Sequence, residues 1–270
     1  MQFMNADLKD SDFDRISKLV YAQCGIHLHD GKKELVKARL GKRLRQGNFQ
    51  SFADYYRHVT TNEGQEELIT MIDSISTNLT YFFREDSHFR KLEKIIPKLS
   101  ENKQLNLWCA GCSTGEEPYS IAMIVKEHVK SSTVNVKILA TDISTRVLKT
   151  AQTSVYSAER INKIPQNFLK KYFQYGTGPS SGLYRVKKDL RDLVEFRRLN
   201  LIEPFPQQFR FHVIFCRNVM IYFDKATQSV LVNKFYEHLE KGGYLFVGHS
   251  ESLTGLSHPF KYSEPSIYRK

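Results

Sequence analysis

A short loop of small residues stands where a ligand could bind. The stretch LNLWCAGCSTGEEPYSIAM, residues 105–123, is apolar, then small from Ala110 to Gly115, then acidic, then apolar again. This layout predicts a strand, a loop and a helix, and the glycines in the loop would let the backbone approach a ligand closely. Open parallel sheets bind ligands beyond the carboxyl ends of their strands. We therefore expect a small-molecule site at this loop.

The charges beside the loop indicate which ligand it would take. Glu116 and Glu117 follow the loop directly, and two carboxylates at a helix N-terminus repel phosphate but suit a cationic group. The loop also lacks a full G-x-G-x-x-G and a G-K-[ST] motif, which disfavours dinucleotides and nucleoside triphosphates. S-adenosylmethionine has a ribose, a sulfonium and an α-ammonium but no phosphate, so the electrostatics favour it over NAD.

A second acidic position ends the next predicted strand. Asp142 closes the strand in ILATDIS, one strand over from the glycine loop, where a carboxylate can accept both hydroxyls of a ribose. The same residue can instead cap the helix that follows it, and the two roles are compatible. A nucleoside-bearing cofactor is the sharper interpretation of the pair of features.

The hydrophobic patterns predict the elements that position these residues. Residues 1–95 have apolar residues at helical spacing and no strand pattern, which indicates a helical domain. From residue 105, short segments rich in Val, Ile, Phe and Leu alternate with helical segments, as in a parallel sheet covered by helices on both faces. We expect the helix after the loop to begin near Pro118, and the last helix to run from a cap at Asp224 to Gly242–Gly243. The C-terminal FKYSEPSIYRK predicts a terminal antiparallel strand.

One segment interrupts this alternation. About forty residues separate TRVLKTAQ from LVEFRRLNL, and they contain GTGPSSG between aromatic runs. That pattern predicts an inserted hairpin. An insertion beside the carboxyl edge of a sheet often determines specificity.

The composition restricts partners and compartment. The net charge is +11, with 40 Lys and Arg against 29 Asp and Glu, which favours an anionic partner. The segment 31–47, GKKELVKARLGKRLRQG, carries much of this excess and predicts an amphipathic helix whose basic face either docks a partner or is simply solvated. No apolar run approaches the roughly 18 residues of a membrane span, and the polar N-terminus is unlike a signal peptide. We expect a cytoplasmic protein that does not insert into membranes.

The cysteine pattern predicts neither a metal site nor a disulfide. Cys109 and Cys112 form a C-x-x-C, but no second pair or nearby histidine pair completes a zinc site. Buried thiols in a reducing compartment are the simpler interpretation.

Five segments of the sequence resemble the bacterial chemoreceptor glutamate methyltransferases, the CheR family. They are STNLTYFFRE (76–85), GCSTGEEPYS (111–120), ATDIS (140–144), LNL (199–201) and FCRNVMIYF (215–223). The resemblance covers nearly the whole chain, and S-T-G-E-E-P-Y-S together with R-N-V-x-I-Y-F is highly specific. It implies an α/β fold of the class I S-adenosylmethionine-dependent methyltransferases, Rossmann-like, with a mostly parallel sheet and a terminal antiparallel strand.

The resemblance also implies a domain organisation. A small all-α domain at residues 1–75 would precede an interdomain linker and helix at 76–95. The methyltransferase domain would occupy residues 96–270 and carry a small inserted β-subdomain at about 156–193.

The activity implied is methyl esterification of glutamate side chains in chemotaxis receptors, with S-adenosylhomocysteine as the product. Arg84 and Tyr222 are expected at the reacting centre, where Arg84 would orient the incoming carboxylate as a bidentate pair. The expected cofactor-binding residues lie before the first strand and at strand ends: Asn78, Thr80, Arg84, Glu117, Asp142, Asn200, Leu201, Arg217 and Asn218.

The partner implied is the cytoplasmic helical region of these receptors. The basic helix 31–47 would steer the encounter with acidic methylation sites, and the inserted β-subdomain is the second expected contact. Some family members use that subdomain to hold a tethering peptide at the receptor's tail, and GTGPSSGLYRV leaves both kinds of member open.

Two other function classes fit parts of the sequence. A nucleic-acid methyltransferase would suit the charge, but base-amine methylating enzymes of this fold commonly carry N/D-P-P-Y/F where this chain has C-R-N-V-M-I-Y-F, and no RRM signature is present. An inactive, receptor-docking adaptor that binds S-adenosylmethionine would have lost parts of the cofactor set, whereas Asp142, Glu117, Arg84, Arg217 and Tyr222 all remain. We expect an active enzyme, with no nucleic-acid partner.

Overall fold

The computed structural model of the chain describes residues 7–101 and 103–270. These residues divide into two units. The first comprises the described residues up to Thr77 together with Tyr222–Thr227, and the second comprises Asn78–Ile221 and Gln228–Lys270.

The first unit is helical. Its elements are α1 (Asp10–Cys24), a 3₁₀ turn (Asp30–Lys32), α2 (Lys33–Gln46), α3 (Phe52–Val59) and α4 (Gln65–Ile75). Apolar residues three and four positions apart on these helices are fully buried, including Ile16, Val20, Val36 and Leu40, so the helical periodicity of the sequence forms the core. Ser51 caps α3 by accepting a hydrogen bond of 3.1 Å from the Asp54 amide.

The second unit alternates strands and helices. Its elements, in chain order, are α5 (Asp86–Leu99), β1 (Gln104–Ala110), α6 (Glu116–His128), β2 (Asn135–Asp142), α7 (Thr145–Thr153), β3 (Val155–Ser157), α8 (Ala158–Ile161), α9 (Gln166–Tyr172), β4 (Phe173–Tyr175), β5 (Leu183–Val186), α10 (Lys188–Arg191), β6 (Val194–Arg198), β7 (Phe211–Cys216), α11 (Lys225–His238), β8 (Leu239–Val247), β9 (Lys261–Glu264) and β10 (Ile267–Arg269). The first turn of α11 belongs to the helical unit.

The main sheet has seven strands in the order β6-β2-β1-β7-β8-β10-β9. The five strands from β6 to β8 are parallel, and β10 is antiparallel to both β8 and β9. The strand order reverses direction between β1 and β7, and this switch point is where open α/β sheets bind ligands. The mostly parallel sheet of the expected fold class is therefore present.

Three details differ from the sequence prediction. Helix α6 begins at Glu116, so Pro118 is its third residue. Helix α11 ends at His238, and Gly242–Gly243 lie within β8, because Gly242 and Gly243 exchange backbone hydrogen bonds with Lys270 at the end of the chain. The C-terminal segment forms two antiparallel strands rather than one.

The insertion forms its own three-stranded antiparallel sheet, in the order β3-β5-β4. The predicted hairpin is the connection between β4 and β5, and it contains a 3₁₀ turn at Gly178–Ser180. Within residues 7–101 and 103–270, no helix combines the length and apolar character that a membrane crossing requires.

Candidate active site

The predicted cofactor residues of the second unit cluster at the carboxyl edge of the main sheet. Asp142 is the last residue of β2, Asn200 and Leu201 follow β6, and Arg217 and Asn218 follow β7. Glu117 is the second residue of α6, after the loop that leaves β1. Because β6, β2, β1 and β7 are adjacent and parallel, one edge of the sheet carries all of these positions.

Hydrogen bonds to the neighbouring strand end shape the loop after β1. The amides of Gly111 and Cys112 both donate to the carbonyl of Thr141, at 2.8 Å each. The Ser113 amide donates to Asp142 Oδ2 at 2.8 Å, and Ser113 adopts a φ of 48°. The loop thus folds back over the end of β2, which brings it next to the Asp142 carboxylate.

The two loop glycines are required by the protein itself. Both have a positive φ, +90° at Gly111 and +96° at Gly115. A Cβ atom at Gly111 would lie 2.3 Å from Val219 Cγ2, and one at Gly115 would lie 2.7 Å from Tyr156 Oη. These glycines therefore permit the turn and the close packing of protein atoms around the loop. The expected close approach of the loop backbone to a ligand stays a prediction.

Asp142 is a buried, organised carboxylate. It is 8% exposed, and its two oxygens accept hydrogen bonds from the amides of Ser113, at 2.8 Å, and Ser144, at 2.9 Å. These two bonds orient the carboxylate at the carboxyl end of β2, beside the loop after β1. The cap of α7 is Ser144, whose hydroxyl accepts from the Val147 amide at 3.4 Å.

Glu116, the first of the two acids after the loop, is paired inside the protein. Glu116 is completely buried, its Oε1 lies 2.5 Å from Arg160 Nη1, and its Oε2 accepts from the Thr114 hydroxyl at 2.6 Å. Burial raises the pKa of Glu116 above its usual value, although Thr114 and Arg160 oppose the change. Because Glu116 is fully buried and paired with Arg160, it does not present its carboxylate to a ligand as the pair of acids in the sequence suggested.

Glu117 is held by a buried arginine. Its Oε2 lies 2.8 Å from Arg217 Nη1, and its Oε1 accepts from the Cys109 thiol at 3.1 Å. The Glu117 side chain is 11% exposed, whereas the Arg217 side chain is 0% exposed. Of the two acids, Glu117 is the more exposed, and Arg217 holds its carboxylate in place.

Arg217 also binds a second acid that the sequence did not single out. Its guanidinium lies 3.0 Å from Glu85 Oε2 and donates as well to the carbonyl of Arg84. Burial favours the neutral acid, but the positive charge of Arg217 outweighs it and lowers the pKa of Glu85 below its ordinary value. One arginine thus joins α6, β7 and the segment before α5.

That segment supplies three predicted residues, Asn78, Thr80 and Arg84. The Ser113 hydroxyl donates to the Asn78 carbonyl at 3.0 Å, which places Asn78 beside the loop. Arg84 Nη1 donates to the Leu79 carbonyl at 2.8 Å, and both Arg84 and Thr80 are half-buried. The segment therefore lies against the loop after β1.

Two supporting residues escaped the sequence analysis. Lys234 Nζ donates to the carbonyls of Leu201 and Glu203, at 2.6 Å each, and so holds the loop after β6. Glu251 holds the loop after β7, because its carboxylate accepts from the amides of Asn218 at 2.8 Å and Val219 at 2.9 Å.

Only one of these two residues could have been noticed in the sequence. Glu251 follows the last parallel strand in GHSES, a position that could have drawn attention to it. No sequence signal marks Lys234.

Two predicted residues remain, Asn200 in the loop after β6 and Tyr222. The Asn200 amide donates to Glu203 Oε1 at 3.1 Å. Tyr222 belongs to the helical unit, where its carbonyl accepts from the His27 amide at 2.8 Å and its side chain is half-buried. The role of the Tyr222 side chain stays a prediction.

The cysteines are free, buried thiols. Cys109 and Cys112 are both fully buried, and burial raises the pKa of each thiol well above its usual value. These protonated thiols are packing groups of the sheet edge.

An open parallel sheet with a carboxylate at the end of its second strand belongs to the class of α/β folds that bind nucleosides. The chain belongs to the CheR methyltransferase family. Residues 78–268 match the family model described as "CheR methyltransferase, SAM binding domain", and residues 11–76 match "CheR methyltransferase, all-alpha domain". The protein is therefore an S-adenosylmethionine-dependent methyltransferase with an all-α N-terminal domain.

Relatives that match nearly the whole chain are named chemotaxis protein methyltransferases. The chain is 43% identical to "Chemotaxis protein methyltransferase" of Borreliella burgdorferi, over 99% of this chain and 96% of the relative. It is 41% identical to "Chemotaxis protein methyltransferase 2" of Pseudomonas aeruginosa, over 95% of this chain and 92% of the relative. It is 39% identical to "Chemotaxis protein methyltransferase" of Escherichia coli K12, over 97% of this chain and 91% of the relative.

Proposed function

We propose that this protein transfers the methyl group of S-adenosylmethionine to glutamate side chains of chemotaxis receptors in the cytoplasm, forming methyl esters. The observation that carries the donor half of the proposal is the Asp142 carboxylate, fixed by two backbone amides at the carboxyl end of β2 beside the loop after β1. The acceptor half rests on the family and on the relatives, which are named chemotaxis protein methyltransferases.

The residues at the sheet edge fit the donor. S-adenosylmethionine supplies a methyl carbon bonded to a positively charged sulfur. Asp142 accepts the ribose hydroxyls, and Glu117, held by Arg217, offers a negative charge to the cationic end of the molecule. The loops carrying Asn200–Leu201 and Asn218 complete the donor site, and Asn78 and Thr80 cover it from the preceding segment.

The acceptor needs no general base. A glutamate side chain has a pKa of about 4.3 and is therefore already an anion at neutral pH. The enzyme's task is to hold the attacking oxygen in line with the methyl carbon, at a separation of roughly 3 Å. We assign this positioning to Arg84, whose guanidinium offers a fork of donors to a carboxylate, and to the hydroxyl of Tyr222.

Substitution of Arg84 tests this assignment. We expect Arg84→Ala to lower the turnover number for receptor methylation at least tenfold at saturating receptor, with little change in S-adenosylhomocysteine affinity or melting temperature. Arg84→Lys keeps the charge but loses the fork, so it should recover only part of the activity. Unchanged turnover of the alanine variant at saturating receptor would remove Arg84 from this role.

The basic helix α2 uses some of its cations within the first unit. Arg43 forms a bidentate pair with Glu67, with contacts of 2.9 Å and 2.5 Å. Arg39 donates to the carbonyl of Ile75 at the end of α4. These two arginines stabilise the helical unit, so a charge reversal at either would disturb folding as well as any docking.

Other cations of α2 are free to meet an acidic partner. Lys42 and Arg45 are exposed on the same helix. We propose that they steer the enzyme toward the acidic methylation region of the receptor. The double reversal Lys42→Glu/Arg45→Glu should raise the KM for receptor several-fold at low salt, an effect that fades as salt screens the charges.

A matched control separates steering from net charge. Lys94 and Lys98 are exposed on α5, so Lys94→Glu/Lys98→Glu changes the net charge equally. We expect this control to leave the KM for receptor near that of the wild type. Equal effects of both double reversals would contradict a docking role of α2.

We also propose the inserted sheet as a second receptor contact. Its outer strands β3 and β4 each pair on one side only, and Tyr175 and Leu183 are 52% and 38% exposed. Replacement of both by Ser should weaken receptor pull-down without changing S-adenosylhomocysteine affinity. Unaltered pull-down would exclude this surface.

A further inference from the structure

Three potential metal ligands meet near the segment that precedes α5. Glu85, His88 and His249 each offer one ligand atom, and these atoms all lie within 4.8 Å of one another. His88 Nδ1 is 3.5 Å from Glu85 Oε2. All three residues belong to the second unit.

The buried side chain of His88 gives an independent indication that this cluster binds a ligand. The residue is 1% exposed, and neither of its ring nitrogens has a hydrogen-bond partner within the described part of the chain. A buried polar group without a partner destabilises the folded state, and native proteins seldom leave one unsatisfied. A bound metal ion would satisfy one of these nitrogens.

We propose that Glu85, His88 and His249 form a binding site for a divalent transition-metal ion of the zinc class. Two imidazoles and one carboxylate suit Zn²⁺ better than Mg²⁺ or Ca²⁺, which take oxygen ligands. The same set of two histidines and one glutamate, with a fourth position left to water, recurs in open zinc sites.

The geometry requires only a small closure. Ligand atoms around a tetrahedral zinc at about 2.0–2.1 Å stand roughly 3.3 Å apart. The exposed residue His249, whose Nε2 contacts the Ser87 hydroxyl at 3.1 Å, can turn toward Glu85 and the buried His88. Its exposure also gives the ion a path from solvent to His88.

The site is coupled to the donor site through one carboxylate. Glu85 Oε2 lies 3.0 Å from Arg217, the same arginine that holds Glu117. An ion that draws on Glu85 competes with Arg217 for it, so metal and S-adenosylhomocysteine should weaken each other's binding by the same factor. This coupling rests on the proposed donor site, whereas metal binding does not.

Calorimetry with Zn²⁺ on the full chain, without a histidine tag and after treatment with a chelator, tests the proposal. We expect one ion per chain, and His249→Ala should weaken binding at least tenfold. His29, an exposed histidine of the helical unit, provides the matched control His29→Ala, which should bind like the wild type. Both variants replace exposed side chains and should fold normally.

The outcomes distinguish the metal site from its coupling to the donor site. Zinc affinity that is unchanged in His249→Ala, or no binding of zinc by the wild type, would overturn the site. Zinc binding that depends on His249 but leaves the affinity for S-adenosylhomocysteine unchanged would keep the site and refute its coupling to Arg217.

Discussion

The buried arginine at the sheet edge makes the most demanding prediction for stability. The Arg217 side chain is 0% exposed and bridges Glu117 and Glu85, which are 11% and 13% exposed. Removing one partner of a buried ion pair usually costs about 3–5 kcal/mol, because the other charge is left buried and unpaired. Arg217→Leu strands two carboxylates, so we expect its free energy of unfolding to fall by at least that amount.

Variants of Glu117 test whether the two carboxylates depend on Arg217 for their stability. In Glu117→Gln the arginine still pairs with Glu85, so we expect a smaller loss of about 1–2 kcal/mol. The double variant Arg217→Leu/Glu117→Gln leaves only the Glu85 carboxylate buried without its arginine, because the Glu117 carboxylate is replaced by a neutral amide. Its loss of stability should therefore be smaller than the sum of the single losses by at least about 1 kcal/mol.

Urea denaturation followed by circular dichroism measures these differences, with the slope of each transition checked against the wild type. Arg57, whose side chain is 77% exposed in its pair with Asp54, provides the control: Arg57→Leu should change stability by less than about 0.5 kcal/mol. If the stability loss of the double variant Arg217→Leu/Glu117→Gln equals the sum of the two single losses within about 0.5 kcal/mol, the two residues are not coupled and the proposed network is refuted.

Three further predictions follow from single residues. Asp142→Asn should weaken S-adenosylhomocysteine binding at least tenfold in calorimetry, whereas an affinity equal to the wild type would exclude ribose binding there. Gly111→Ala should lower the free energy of unfolding by about 2–4 kcal/mol, because φ is +90° and its Cβ would lie 2.3 Å from Val219 Cγ2. Adding Val219→Ala to this variant should relieve the clash but not the backbone strain. Full recovery of wild-type stability in the double variant would contradict the contribution of backbone strain. Burial lowers the pKa of Lys234 from 10.5 to about 8. Between pH 8 and pH 10.5 the unfolded state therefore binds more protons than the folded state, and the free energy of unfolding should rise with pH. The rise should be less than ~1.4 kcal/mol per pH unit, because Lys234 is partly exposed. Lys234→Met should lack this rise in denaturation curves at pH 8 and 10, and an identical rise in the variant would assign it to other groups.

The sequence predicted the architecture because hydrophobic periodicity records burial directly. Apolar segments such as FHVIFC became the central strand β7, and the basic amphipathic segment became α2. The ends of elements were less predictable. Gly242–Gly243 resembled a helix end, but pairing with the chain terminus, a long-range contact, holds them in β8.

The candidate site was predictable in position but not in its internal pairing. A strand followed by small residues marked the loop, and Asp142 marked the neighbouring strand end. The partners of the two acids were not visible, because Arg160 and Arg217 are distant in the chain from Glu116 and Glu117 and approach them only in the folded sheet. The electrostatic argument for a cationic ligand consequently rests on Glu117 alone, and the family match now carries the donor's identity.

The chemical nature of the product tests the central claim most directly. The protein should be incubated with S-adenosylmethionine carrying a tritiated methyl group and with membranes containing chemotaxis receptors, and the labelled receptor should then be treated with alkali. A carboxylate methyl ester releases volatile tritiated methanol under these conditions, and we expect the receptor-bound label to be released in this form and to be absent from receptors whose methylation-site glutamates are replaced by alanine. Label that stays on the receptor through alkali, or that appears in nucleic acid instead, would contradict the account.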